Sequence, residues 1–222
     1  YDKHLWVESI IDTVNFNTVV YAKDQFLIFG NFGSVYVYDG TSWVNRLASA
    51  WAAYHFLHAC YGKDKYVLAA KIQFQNTYKL LYSFDGQTWV VARTLTNIDI
   101  NSIAFSGDRF VAVGSDGANY ARIYYSFDGI TWDDAAVPSP EIPSSALYSV
   151  YYSKKWGVFI AVGMTGCTTT SKDGSNWSAF ISILTVETLT SICENSGGEL
   201  YTLTKYKIYR STNGGTVFSE VY

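Results

Sequence analysis

The 222 residues hold 16 Lys+Arg against 19 Asp+Glu, a formal charge of −3, with 49% hydrophobic and only 16% charged residues. This balance excludes a disordered chain, and the lack of any Lys/Arg run excludes a nucleic-acid footprint, while leaving ample apolar side chain for a core. The apolar runs are strand-sized, short of the ~20 residues that cross a bilayer as a helix, so no membrane insertion is expected.

No signal-peptide pattern opens the chain, and Tyr at position 1 leads us to expect a processed or excised piece of something longer. Trp6 to Ile11 reads as a lone strand, with Asp2 and Trp6 keeping a separation that returns at Asp39 and Trp43. Repeating units follow. The third is the clearest: 101–106 reads as a strand, Gly107-Asp108 as a turn, 109–115 as a second strand, and the stretch around Asp116-Gly117 as a loop. A third strand over 121–127, a turn at Asp128-Gly129 and a fourth strand over 131–137 complete it. The second strand recurs as Phe26 to Gly30, Tyr66 to Ala70, Phe110 to Gly114, Phe159 to Gly163 and, more weakly, Leu200 to Thr204. These runs are apolar on both faces, as in strands sandwiched between neighbouring sheets.

Asp-Gly followed by Trp punctuates the units at Asp39 to Trp43, Asp85 to Trp89, Asp128 to Trp132 and Asp173 to Trp177. The tryptophans step by 46, 43 and 45, and a looser copy (Ser211, Asn213, Gly215, Phe218) follows 41 residues on. Periods of this size mark a repeat architecture. Asp is expected to cap backbone donors in a tight turn, Gly to take the positive-φ position and Trp to fold over the turn. Ser83, Ser126 and Ser171, two residues before Asp, can add a side-chain bond to the backbone.

The strings Ser83 to Trp89, Ser126 to Trp132 and Ser171 to Trp177 resemble Asp-boxes of the bacterial-neuraminidase-repeat propellers, and Ser211 to Phe218 is similar to their longer form with Asn213 in place of Asp. The short Ser-x-Asp-Gly-x-Thr-Trp form, with a Tyr-rich and charge-poor composition, also resembles propellers of bacteriophage tail and adsorption proteins. The resemblance implies one all-β domain over 1–222: a five-bladed β-propeller of four-stranded antiparallel blades, with the box on the blade periphery, away from the ligand face. The repeats fall near 12–48, 54–93, 99–137, 146–184 and 188–222. Five inner sets of three strands and six outer strands are one strand over-supplied, so the closing strand within 1–11 is expected to pack through residues 5–11 beside the blade of residues 189–222, as its outer strand or an extra one, with a larger ring completed by further sequence or another chain as the rival.

A sialidase is the enzyme suggested by that resemblance, and it needs converging arginines, a Tyr/Glu nucleophile pair and an acid/base carboxyl. Arg46, Arg93, Arg109, Arg122 and Arg210 fall in fourth strands, a turn and third strands and are not expected to converge. The nearest echo of the family's Arg-Ile-Pro is Glu141-Ile142-Pro143. We therefore expect no enzyme, no catalytic residues and no cofactor. His55, His58 and Cys60 raise the question of a metal. His58 and Cys60 share a strand face that His55 does not, and His58 falls in one column with Thr18, Ser102, Ser149 and Ser191. That column reads as a polar lining of the central channel, and no metal is expected. Cys60, Cys167 and Cys193 cannot all pair within one chain and read as buried free thiols. The sequon Asn176-Trp177-Ser178 lies inside an Asp-Gly turn and reads as coincidence.

Loops joining second to third strands and blade to blade share one face of a propeller. Here that face is expected to carry Phe32; Trp51, Tyr54 and His55; Phe74, Asn76 and Tyr78; Asp116, Asn119 and Tyr120; and Tyr206. Aromatic platforms beside Asn and Asp suit sugar rings and protein contacts alike. The reading is a non-enzymatic binding module for a glycan, a cell-surface receptor or neighbouring subunits, in a virion or extracellular assembly, with a purely structural scaffold as its rival.

Overall fold

A computed structural model of the chain describes residues 14–46, 49–137, 145–182 and 187–221. They form five four-stranded antiparallel sheets, each running in chain order from first to fourth strand. Blade 1 comprises β1 (Phe16–Ala22), β2 (Gln25–Gly30), β3 (Val35–Tyr38) and β4 (Trp43–Asn45). Blade 2 comprises β5 (Tyr54–Gly62), β6 (Lys65–Ile72), β7 (Thr77–Ser83) and β8 (Val90–Thr96). In blade 3 the strands are β9 (Ile98–Phe105), β10 (Phe110–Asp116), β11 (Ala121–Ser126) and β12 (Asp133–Asp134). Blade 4 has β13 (Leu147–Ser153), β14 (Val158–Gly163), β15 (Cys167–Ser171) and β16 (Ile181–Ser182). Blade 5 has β17 (Ser191–Glu194), β18 (Leu200–Leu203), β19 (Ile208–Ser211) and β20 (Ser219–Glu220).

Side chains alternate across each pleated sheet, so every blade offers one face to the blade before it and one to the blade after. Leu27 and Phe29 of blade 1 pack on Tyr66 and Leu68 of blade 2. The same layering joins Val67 and Ala69 to Phe110 and Ala112, then Val111 and Val113 to Phe159 and Ala161, then Ile160 and Val162 to Leu200 and Ile192. First strands of successive blades also touch: Asn17 Nδ2 donates to the Phe56 carbonyl (2.7 Å) and Asn101 Nδ2 to the Leu147 carbonyl (2.8 Å).

The Asp-Gly turns are built as the side-chain chemistry requires. Asp85 Oδ1 accepts the amides of Gln87 (2.8 Å) and Thr88 (2.7 Å), while Ser83 Oγ accepts the Gly86 amide (2.8 Å) and donates to Asp85 (2.9 Å). Blades 3 and 4 repeat this with Ser126/Asp128 and Ser171/Asp173, and in blade 5 Asn213 Oδ1 takes the Val217 amide (3.0 Å). Partial burial pushes the Asp85 carboxyl up, but the Thr88 and Gln87 amides with the Ser83 and Thr88 hydroxyls outweigh it and hold it down at about 2. Trp89, Trp132, Trp177 and Phe218 are buried, whereas Trp43 of blade 1 is half-buried.

Three expectations change. Outside blade 2 the fourth strands are short: β12 ends at Asp134 because Ala136 leaves its own sheet, its amide donating to the Ser175 carbonyl (2.7 Å) of the next blade's turn. Cys193 is exposed rather than buried, because it lies on the face of blade 5 opposite Ile192, while Cys167 is buried and Cys60 half-buried. The polar column is only in part a channel lining. His58, Ser102, Ser149 and Ser191 border a shared depression of about 440 Å³. Yet His58 Nδ1 accepts the Ile103 amide (3.2 Å) and Ser102 Oγ the Val150 amide (3.2 Å), so these side chains satisfy backbone donors of the following blade. The expected closing strand 1–11 and Glu141-Ile142-Pro143 lie outside the described residues.

Candidate functional site

The loops joining second to third strands are tight, and four of them place a non-glycine residue in the left-handed region at or near the tip: Phe32 (φ 56°), Phe74 (φ 60°), Asn119 (φ 63°) and Thr165 (φ 55°). L-residues adopt this backbone at a cost, so these tips hold a defined conformation, as do the Lys23-Asp24 and Lys63-Asp64 turns at the opposite end of blades 1 and 2. Blade 5 presents Tyr206 there, 76% exposed. Thr165 escaped the sequence reading, although Met164-Thr165-Gly166 echoes Asn31-Phe32-Gly33 in forming the same short 3-10 turn.

Blades 1 and 2 bring their candidates together. The Phe32 ring lies 5.4 Å from His55, and Trp51 meets Tyr54 edge-on at 4.9 Å. Gly33 lets the blade 1 loop press against the Trp51 carbonyl, where a Cβ would overlap it. Lys79 Nζ donates to the Tyr54 hydroxyl (2.9 Å), adding a cation that the sequence reading missed. Phe74 stands 96% exposed on the β6–β7 loop. Asn76 Nδ2 is held by Asn97 Oδ1 (3.1 Å), and the Asn97 amide returns a bond to the Asn76 carbonyl (2.8 Å), so this loop is braced by the junction between β8 and β9.

The other candidates do not join that group. Tyr78 belongs to the core between blades 2 and 3, and burial pushes its phenol well up with Asp99 as hydrogen-bond partner, so it cannot face a ligand. Asp116 is spent on its own loop: Oδ1 accepts the Ala118 and Tyr120 amides (2.9 and 3.1 Å), and Oδ2 meets Arg122 (2.6 Å). Partial burial raises the Asp116 carboxyl, and those donors more than reverse it. Asn119 and Tyr120 ride on that braced loop, and Tyr206 lies on blade 5 beside a cavity of about 560 Å³ shared with Glu187, Thr190 and Leu203.

Four arginines are engaged on separate elements. Arg93 pairs with Asp134 (2.7 Å) over the Tyr124 ring, Arg109 stacks on Phe127 (4.2 Å), Arg122 pairs with Asp116, and Arg210 with Glu199 (3.5 Å). Among the described residues, no three His, Cys, Asp or Glu groups come together as a metal site.

No family model matches the chain, and no curated protein matches it. Solved structures do. YCF48, in a structure with D1 peptide bound, is 16% identical with a TM-score of 0.66 over 95% of this chain and 68% of its own. Virginiamycin B lyase from Staphylococcus aureus is 10% identical with a TM-score of 0.72 over 96% of this chain and 71% of its own. The Dos1 propeller is 11% identical with a TM-score of 0.63 over 93% of this chain and 59% of its own.

The chain is a β-propeller.

Its five four-stranded antiparallel sheets are the blades, and it spans 59–71% of the length of those three structures. At such identities the likeness carries the fold alone, a scaffold that holds a bound peptide in one neighbour and is a lyase in another.

Proposed function

We propose that this propeller is a non-enzymatic binding module that presents the loop tips of blades 1 and 2 to a protein partner. The observation that carries the reading is the aromatic group of exposed Phe32 with half-buried His55, Trp51 and Tyr54, together with Phe74 projecting almost wholly into solvent from the β6–β7 loop. A projecting aromatic on a braced loop is an anchor for a partner's pocket, since its ordering cost is met before binding. YCF48, a neighbour in fold, binds a peptide in its structure. A second reading, glycan binding, rests on the same rings with Asn76 and Lys79 as hydrogen-bonding neighbours. The Asp-box assignment of the turns and a virion or extracellular setting belong to this proposal, supported by the turn geometry and the Tyr-rich, charge-poor composition. A scaffold with no separable ligand is its rival.

The test is display of the chain on peptide and glycan arrays beside a Phe32→Ala/Phe74→Ala variant. The expected outcome is peptide binding lost by tenfold or more in the variant, about 1.4 kcal/mol or greater, with unchanged melting. Glycan signals removed by the variant select the second reading. Signals that survive the double substitution overturn the placement of the site, and turnover of fluorogenic glycosides overturns the non-enzymatic reading.

A further inference from the structure

We propose that the propeller is completed by further blades of the same repeat, in line after blade 5 and seated between blade 5 and blade 1. Four apolar layers join the five blades in sequence, and among the described residues no such layer joins blade 5 to blade 1. The two faces at that seam are nonetheless built as interior faces.

The residues directed at a preceding blade begin with an aromatic in blades 1 to 4: Phe26, Tyr66, Phe110 and Phe159. The last three are buried, while Phe26 is 45% exposed, with Val19 and Tyr21 exposed beside it. Residues directed at a following blade show the mirror pattern. Phe29, Ala69, Val113 and Val162 are buried, whereas their counterpart Leu203 in blade 5 is 44% exposed, flanked by exposed Ile208, Val221 and Cys193. Two contiguous apolar sheet faces open to water are unusual for a finished surface.

The turn glycines give an independent sign. A Cβ on Gly86, Gly129, Gly174 or Gly215 would meet Leu27, Val67, Val111 or Ile160 of the blade before it at 2.6–3.0 Å. The equivalent Gly40 of blade 1 has nothing within 4 Å. Ser191 likewise holds the position from which His58 and Ser102 accept an amide of the following blade, and it is exposed.

The faces complement each other: the trailing face of blade 5 has the aliphatic character that receives an aromatic leading face, and the leading face of blade 1 supplies one. A head-to-tail second copy gives ten blades or an open filament, outside the four to eight blades of closed propellers. One to three further blades stay within that range. Virginiamycin B lyase matches the five blades over 71% of its chain, so its uncovered part has the length of about two more such blades.

The test uses paired cysteines in a Cys193→Ser background. Phe26→Cys with Tyr201→Cys spans the seam, and Leu27→Cys with Tyr66→Cys spans the matching positions of blades 1 and 2. A bifunctional thiol cross-linker long enough for the ~10 Å between packed sheets is expected to link the control pair within one chain and to leave the seam pair unlinked. An intramolecular seam cross-link means that five blades close on themselves, and a cross-linked dimer means that a second copy fills the gap; either overturns the proposal. In the chain with its own cysteines, extension after residue 221 by a copy of residues 97–182 should slow modification of Cys193 by an added thiol reagent by about tenfold or more, because thiol reactivity follows access. An unchanged rate in a folded extended chain overturns it as well.

Discussion

Replacing Trp177 by Ala removes a ring that is buried between blades 3 and 4, packs 6.5 Å from Phe159 and donates from Nε1 to the Gly174 carbonyl (2.9 Å). Truncating a buried Trp costs about 3–5 kcal/mol, because transfer energy and the residual cavity add. For a domain of this size that lowers the melting temperature by roughly 6–20 °C. Trp43 holds the same turn position in blade 1 but is half-buried, with Tyr38 at 5.2 Å as its ring partner. Trp43→Ala should therefore cost about 1.5 kcal/mol or less. Urea melts of both variants against the parent chain measure the difference. Equal losses would refute the layering argument, since they would mean that the blade 1 ring is as enclosed as the blade 4 ring.

Ala at Gly174 (φ +72°) places a Cβ 2.7 Å from Val111, whereas Ala at Gly40 (φ +100°) meets nothing, so Gly174→Ala should cost more by about 1–3 kcal/mol, the penalty of overpacking alone. Calorimetry of the two variants decides it, and a Gly40 variant as unstable as the Gly174 variant counts against the open face. His58 accepts the Ile103 amide through Nδ1, which requires the neutral ring, and desolvation by its packed surroundings lowers its pKa below 6.5. The unfolded chain thus takes up the proton first as pH falls, so stability is full above the unfolded value and declines as pH drops from about 6.5 toward the lowered folded value. His58→Ser, which copies Ser102, should remove that decline in urea melts between pH 7 and 5; a slope that persists assigns it to another group.

Turns and alternation act over a few residues, and these were legible in the chain. Asp85, Asp128 and Asp173 bond amides two and three residues ahead, a geometry fixed by side-chain length, so Asp-Gly spacing marks the last hairpin of blades 1 to 4, with Asn213-Gly214 in blade 5. The doubly apolar second strands announced layers on both sides for the same local reason. Part of the candidate face was legible as loop position: Phe32 meets His55 and Trp51 meets Tyr54 where the loops put them, and Phe74 projects from the β6–β7 loop.

Contacts between blades were not legible, because they depend on side chains some 40 residues apart. Tyr78 and Phe74 stand four residues apart in sequence as similar candidates, yet one is sealed against blade 3 with Asp99 and the other projects into water. Asp116 resembled a ligand group until Arg122 and two loop amides were seen to occupy it. Phe26 and Phe110 hold the same column and carry the same side chain, and only the tertiary structure decides that Phe110 is buried against blade 2 while Phe26 faces an open seam. The sequence by itself determined the hairpins, their turns and the two-faced strands. Which of those faces meets another blade, and which meets water, is set by the arrangement of whole sheets around the axis, where apolar burial depends on what lies opposite and not on the residue alone.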